Sequence, residues 1–451
     1  MEPGNIWKTW KGHAGFGCLA FDALPAWQKE LFKPDMSPAA LAKPYLPKDG
    51  ILSPREKTGF LCQIMDLVYY DECRPYVTFP DGRWIPHCPP DENRQAAGSS
   101  GNSPSPVVSV EIIEMLMNKM IESVRRDDWE EAIRHGGTLG HFVQEPFTPG
   151  HCIDGDLLQQ LFPDPDHSRH IRLHYAFDCG TTDFEPLAPI LMGASVPEAA
   201  FRIQIEIDRG IRQAKNLAGS IIRLLYEQEH HPRAAREALL AGQSQAATWL
   251  TSCAWHTAIC IAKGRFEKSE LPALGTIDLT RLMPYFWHHC DYTELLPGCL
   301  VKNSRKIPIH IFSKKAKGSP EEQLIVNGFG MGGHMGCKFF VNGDIYRHFH
   351  CRVGLPSRQT EGQSENTHTE FRVEIDRQLN KVYSEDLKYS GQVLTRVLLH
   401  PGREAQVIDV DITGARALML INECQSHRDL QGQIQWDVPH VAICEPILSK
   451  T

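Results

Sequence analysis

The sequence predicts a multidomain chain, a mainly α-helical domain over residues 1–268 followed by a jelly-roll-like β-sandwich over residues 269–451. Three observations carry this. Apolar residues recur at helical spacing from about Trp7 to Phe266. After about residue 270 the texture changes to short β-rich runs separated by Gly, Pro, Asn and Ser, the pattern of a sandwich. A length of 451 residues corresponds to roughly two to three domains.

The helical elements follow in order. Trp7 to Phe32 is apolar with helical spacing and breaks at Pro34. Val107 to Val124 follows a Gly/Ser/Pro loop and aligns Val110, Ile113, Met117, Met120 and Val124 on one face. Asp127-Asp128 reads as the cap of a helix running through Ile133, Leu139 and His141 toward Glu145. Two long helical segments come next, near Pro197–Gln228 and Pro232–Lys263. The β-rich runs are Ile307–Phe312, Glu370–Ile375, Ala405–Val410 and Ala417–Ile421.

Composition narrows the classes. Hydrophobic content of 42 % and charged content of 23 % are ordinary for a globular chain. A net charge of -8 argues against broad phosphate-backbone binding, without forbidding a nucleic acid held through metal ions. The most apolar stretch, Ala246 to Ala262, contains Ser252 and His256 and is short for a bilayer, so it reads as a buried core helix and no transmembrane segment is expected. Met1 to Trp7 lacks the basic start and apolar run of a signal peptide. Fourteen Cys are scattered without any Cys-x-x-Cys, which excludes zinc-ribbon and thioredoxin signatures and leaves the redox compartment open.

The chemistry concentrates between residues 141 and 178. His141 and Glu145 are four residues apart, His151 follows, and His174 and Asp178 repeat the spacing. On a helix, residues i and i+4 share a face one turn apart. Imidazole and carboxylate are ligands that Zn²⁺ accepts. His87, Asp66, Asp71 and His13 offer further donors upstream. Other histidines read as bystanders: His167 and His170 in a polar loop, His230-His231 at a helix junction, His256 as a satisfied core residue. His288-His289 are adjacent, and adjacent side chains converge poorly on one ion.

These residues resemble the zinc-dependent phospholipase C and S1/P1 nuclease superfamily over roughly the first 265 residues. The family opens with a Trp-rich segment and a His on its first helix, here Trp7 to His13. Its central Gly-x-x-x-His-x-x-x-Asp helix and Pro-x-His element are matched by Gly137 to His151, with Glu145 in place of Asp. His174 and Asp178 match the later pair. The resemblance implies two or three Zn²⁺ ions. Asp66, His87, His141 and Glu145 would hold one, and His151, His174 and Asp178 a second. Glu145 would bridge to a third, completed by His13 and the N-terminal residue. Because Met1 to Ile6 precede Trp7, that third site is expected to be the weak one. His87 also lies further beyond Asp66 than the family spacing. The family implies an extracellular or periplasmic location.

The second part is similar to the NPCBM family, a carbohydrate-binding sandwich attached to bacterial hydrolases. The resemblance rests on Gly328 to His334, on a hairpin from Phe371 to Tyr383 turning at Asn380-Lys381, on a strand pair from Val407 to Leu420, and on a closing strand from Ile434 to Pro439. It implies a glycan partner, with Trp436 as a contact or a core residue.

The expected function is zinc-dependent hydrolysis of a phosphodiester, in a phospholipid headgroup or single-stranded nucleic acid, with Glu145 or Asp66 positioning the attacking water. No Ser-His-Asp set or Gly-x-Ser-x-Gly elbow competes with it. The alternative is a noncatalytic carbohydrate-binding protein whose metal site is structural or decayed. Zinc per chain discriminates between them.

Overall fold

The computed structural model describes residues 12–32, 53–67, 71, 73–86, 106–152, 180–226, 233–284, 286–288, 296–302, 305–313, 321–332, 335–357, 368–377, 391–424, 426–428, 434–436 and 440–451. His87, His174, Asp178, Trp7, Asn380 and Lys381 lie outside them. The chain divides into two compact units, Met1–Leu274 and Gly275–Thr451.

The first unit is helical. Its described helices are α1 (His13–Ala23), α2 (Ala26–Lys29), α3 (Pro54–Leu61), α4 (Pro106–Arg125), α5 (Trp129–Gln144), α6 (Pro149–Cys152), α7 (Val196–Asn216), α8 (Ala218–Tyr226) and α9 (Arg233–Lys263). The continuous helix expected up to Phe32 is broken at Leu24, which is extended at ψ 145°. The cause is Pro25, whose ring disfavours helical backbone in the residue before it. The segment from 196 to 226 is likewise two helices. Leu217 tightens the chain there, donating its N–H to Ala214 O at 3.1 Å.

Helix α5 starts where Asp127-Asp128 indicated. The Asp128 carboxylate accepts from Glu131 N at 3.1 Å, and Asp127 accepts from Trp129 Nε1 at 2.9 Å. Its buried Ala132, Ile133 and Leu139 join Ile113, Met117, Met120 and Val124 of α4 and Leu250, Trp255 and Ile259 of α9 in the core. Each such large apolar side chain contributes roughly 1.5–3 kcal/mol on burial. Several polar groups of α9 find partners inside that core. Thr251 donates to Ala247 O at 2.8 Å, and Thr257 accepts from Met192 N at 2.9 Å. His256 is 3 % exposed beside Gln28 and Glu270, a core histidine held by partners. Among the described residues no helix is long and apolar enough to cross a membrane.

The second unit is antiparallel β. Its strands are β1 (Thr276–Asp278), β2 (Phe286–His288), β3 (Cys299–Lys302), β4 (Arg305–Ser313), β5 (Glu321–Ile325), β6 (Gly328–Met331), β7 (Met335–Phe340), β8 (His348–Gly354), β9 (Thr369–Asp376), β10 (Gln392–Leu399), β11 (Gln406–Asp411), β12 (Ala417–Cys424), β13 (Ser426–Arg428), β14 (Ile434–Trp436) and β15 (Val441–Ser449). One sheet runs β1-β15-β8-β11 with β6 also on β15, and the other runs β10-β9-β12-β7-β2. Alternation along the strands buries Phe349, Cys351 and Val353 of the first sheet and Phe371, Val373 and Ile375 of the second. Phe329 of β6 meets Phe339 of β7 at 6.1 Å between ring centroids, so the two sheets face each other as a sandwich.

Two expected pairings differ. Residues 407 to 420 do not form one hairpin, because β11 pairs β8 while β12 pairs β7 and β9 in the other sheet. The turn between them contains Gly414 at φ 76°, a left-handed conformation that glycine adopts without strain. The last long strand is β15, whereas β14 forms a short hairpin with β13.

Candidate metal centre

The centre is assembled around Glu145, the residue directly after α5. It opens a 3-10 turn (Glu145–Phe147) that bends the chain into α6. Its carboxylate is fully buried. His13 Nε2 lies 3.1 Å from Oε1, His141 Nε2 lies 2.9 Å from the same oxygen, and His151 Nε2 lies 2.7 Å from Oε2. The His13 and His141 rings are 4.1 Å apart and tilted by 32°. Donor atoms of His13, His141 and Glu145 all lie within 4.8 Å of one another, and all three residues are buried. This group can hold a metal ion.

Each imidazole reaches that point for a sequence reason. His13 opens α1 directly after Gly12, whose φ of 67° is the left-handed backbone that glycine tolerates. His141 sits one turn after Gly137 on α5 and donates Nδ1–H to Cys62 O at 2.7 Å. His151 comes from α6, turned back toward Glu145 by the Pro146 and Pro149 bends.

Hydrogen bonding fixes which nitrogen of each ring carries the proton. Cys62 O can only accept, so the His141 proton is on Nδ1. For His13 the chain of bonds is longer. Thr251 spends its hydroxyl proton on Ala247 O, so its oxygen accepts from Gln144 Nε2 at 3.1 Å. The amide is thereby oriented, Gln144 Oε1 accepts, and His13 donates Nδ1–H to it at 2.8 Å. In the neutral rings, both Nε2 lone pairs therefore face the carboxylate. Lone pairs on nitrogen and oxygen about 3 Å apart repel unless a proton or a cation is shared between them. Two oriented imidazole nitrogens with a carboxylate oxygen are a donor set for a borderline divalent cation, so these residues fit zinc.

Electrostatics agree. Burial pushes the Glu145 carboxyl up, but His13 beside it, then the approaches of His141 and His151, hold it well below the usual carboxylate range. Glu145 stays an anion, ready for a cation.

Of the residues picked out by spacing, the structure brings together His13, His141, Glu145 and His151. Asp66 lies at the rim, its side chain 45 % exposed and Oδ1 4.0 Å from His141 Nε2. Asp71 is exposed and pairs with Arg74 at 3.3 Å. His87, His174 and Asp178 fall outside the described residues. The geometry places His13 and His141 at one and the same oxygen, whereas the family pattern assigns them to different ions. Spacing gave no sign of Gln144, Thr251 or the Cys62 carbonyl, which orient the rings. Their partners are 107, 131 and 79 residues away in sequence.

Comparison with known proteins adds likenesses of low similarity. No family model matches the chain. No curated protein matches it. Among solved structures, CBM51 from Clostridium perfringens GH95 in complex with methyl-galactose is 15 % identical, over 39 % of this chain and 99 % of that one, with a TM-score of 0.28. The tandem CBM51 modules of Sp3GH98, the family 98 glycoside hydrolase from Streptococcus pneumoniae SP3-BS71, are 17 % identical over 39 % of this chain and 47 % of that chain, with a TM-score of 0.28. The alpha-toxin from Clostridium perfringens avian strain SWCP is 9 % identical over 96 % of this chain and 98 % of that chain, with a TM-score of 0.28. At this level the likenesses carry no weight for what the chain does, which rests on the site itself.

Proposed function

We propose that the helical unit is a zinc-dependent hydrolase of phosphodiester bonds, and that the β unit is a carbohydrate-binding accessory. The observation that carries the first part is the pair of proton-fixed imidazoles, His13 and His141, whose Nε2 atoms meet one oxygen of the buried Glu145 carboxylate. His13, His141 and Glu145 would hold one ion. His151, on the other oxygen of Glu145, would serve a second with His174 and Asp178, while Asp66, at the rim, and His87 would complete the first. Bound zinc would neutralise the phosphate, lower the pKa of water toward about 7 and stabilise the leaving oxygen.

The chain's own residues supply the rest. Gln144 and Cys62 keep the imidazoles turned so that no reorientation is needed on binding. Burial keeps bulk water from the Glu145 carboxylate, which strengthens its hold on positive charge. Asp66, half-exposed at the edge, is placed to accept a proton from an incoming water.

In the β unit, a cavity of about 530 Å³ is lined by Gly354, Leu355, His400, Arg403, Glu404 and Gln406. Its charged and amide groups suit the hydroxyls of a sugar, and we place the glycan there.

Zinc counting on the purified chain, with bis-p-nitrophenyl phosphate hydrolysis measured alongside, tests the first reading. Two or three ions per chain with activity that falls in His141→Ala supports it. A chain that binds no zinc at this centre is not this hydrolase. Titration with galactose and N-acetylglucosamine, in the wild type and in Arg403→Ala, tests the second.

A further inference from the structure

The outer face of the first β-sheet pairs two histidines with two aspartates. Along β8, His348 and His350 alternate with the buried Phe349 and Cys351, so both imidazoles leave on the same face. Along β11, Asp409 and Asp411 do the same. The antiparallel register sets His348 directly opposite Asp411 and His350 directly opposite Asp409. The sequence carries this as His-Phe-His in one strand and Asp-Val-Asp in its partner.

Strand register sets the four side chains beside one another on one face. Residues two apart on a strand are about 6.6 Å apart, and directly opposed Cβ atoms are about 4.5–5.5 Å apart. From such a rectangle, two imidazoles and a carboxylate can meet one ion at the usual distances of about 2.0–2.2 Å. His350 Nδ1 is already 4.0 Å from Asp409 Oδ2, with side chains 43 % and 67 % exposed. Ligands on one tetrahedral ion stand about 3.3 Å apart, so closing this pair requires only a small rotamer change. The Asp411 carboxylate accepts from Thr413 N at 2.7 Å, which anchors it at the strand end. Arg352, the next residue on the same face of β8, is turned to Glu445 at 3.1 Å and does not neutralise the aspartates. Among the described residues β11 is the edge of its sheet, and Asp409 and Asp411 on it are exposed.

We propose that His348, His350, Asp409 and Asp411 form a surface site for a divalent transition-metal ion, separate from the centre at Glu145. The donor set of two neutral imidazoles and two carboxylates selects Zn²⁺, Ni²⁺ or Cu²⁺ over Mg²⁺ or Ca²⁺, because imidazole suits those ions and hard cations take oxygen. An ion there joins β8 to the edge strand β11 and so stabilises the sheet wherever it binds the folded form alone.

The test uses the full chain and Zn²⁺ alone, titrated against a chromophoric chelator. The Glu145→Gln background reports this site separately from the buried centre. In that background His348→Ala/His350→Ala should bind one zinc fewer per chain than Glu145→Gln alone. Asp409→Asn, which preserves shape, should weaken binding of that ion by roughly tenfold or more. If the double variant fails to fold, the Asp409→Asn titration decides. Zinc affinity unchanged in both variants would overturn the site and show that the His–Asp pairs only align the strands. That outcome leaves the hydrolase reading untouched, since zinc at Glu145 is counted in the parent chain.

Discussion

The backbone of Leu61 lies so close to Gly137 that a Cβ on Gly137 would sit 2.4 Å from the Leu61 carbonyl oxygen. The next carbonyl along, that of Cys62, receives the His141 Nδ1–H one helical turn beyond Gly137. The absence of a side chain at position 137 is what allows the end of α3 to orient the His141 imidazole on α5.

Gly137→Ala therefore has two opposed effects. Alanine gains up to about 1 kcal/mol of helix propensity. The clash with the Leu61 backbone costs about 1–3 kcal/mol, and no flexible side chain is available to move aside. We expect a lower urea midpoint together with reduced zinc content, measured by denaturation and metal analysis. A midpoint at or above wild type with full zinc would show that α3 shifts freely.

The Gln144–Thr251 link predicts a loss of affinity without a first ligand being touched. Thr251→Val removes the hydroxyl that fixes the Gln144 amide and leaves a buried N–H unpaired, at a cost of about 1–3 kcal/mol. The amide can then turn and present its NH₂ to His13, which places the ring proton on the wrong nitrogen. Zinc affinity should fall roughly 10–100-fold. Thr251→Ser, which keeps the hydroxyl, should restore most of it. Equal zinc binding in Thr251→Val would mean that His13 is oriented by something else.

Much of this was legible in sequence, and the remainder has a physical cause. The i, i+4 spacing of His141 and Glu145 was readable because helical geometry is local. So was the Asp128 cap, and the Gly137 to His151 segment stood out as a unit. The ring-orienting groups were not readable, because the Cys62 carbonyl is main chain and every residue has one, and Thr251 sits in a stretch whose composition says only buried helix. In the β unit the run from 407 to 420 announced two strands, yet alternation cannot tell whether neighbouring strands stay in one sheet. The β8–β11 face was equally hidden, since His-Phe-His and Asp-Val-Asp meet only through a register that sequence does not state.

Glu145→Gln tests the charge of the centre. It removes the anion that three imidazoles approach at 2.7–3.1 Å while preserving shape. Zinc at this centre should be lost, because a neutral amide oxygen is a far weaker ligand than a carboxylate. Chelator should lower the melting temperature of the parent chain and have a smaller effect on the variant, by mass action on the folded state. The same shift in both would place the stabilising ion elsewhere.

A second buried imidazole predicts the acid limb of stability. Burial pushes His135 down to about 4, against the partial opposition of Glu131, whose carboxylate lies 3.4 Å away and also accepts from Tyr76 at 2.8 Å. An unfolded histidine titrates near about 6.5. Between these values the unfolded chain binds a proton that the folded chain refuses, so stability is complete above about pH 6.5 and falls as pH drops toward 4. The shift corresponds to about 3 kcal/mol. Glu131 is itself held below its usual value, so its contribution has the same sign and begins lower, near pH 4. His135→Gln should flatten the difference between denaturation midpoints at pH 7 and pH 4.5. An undiminished pH dependence in that variant would assign the acid sensitivity to other groups.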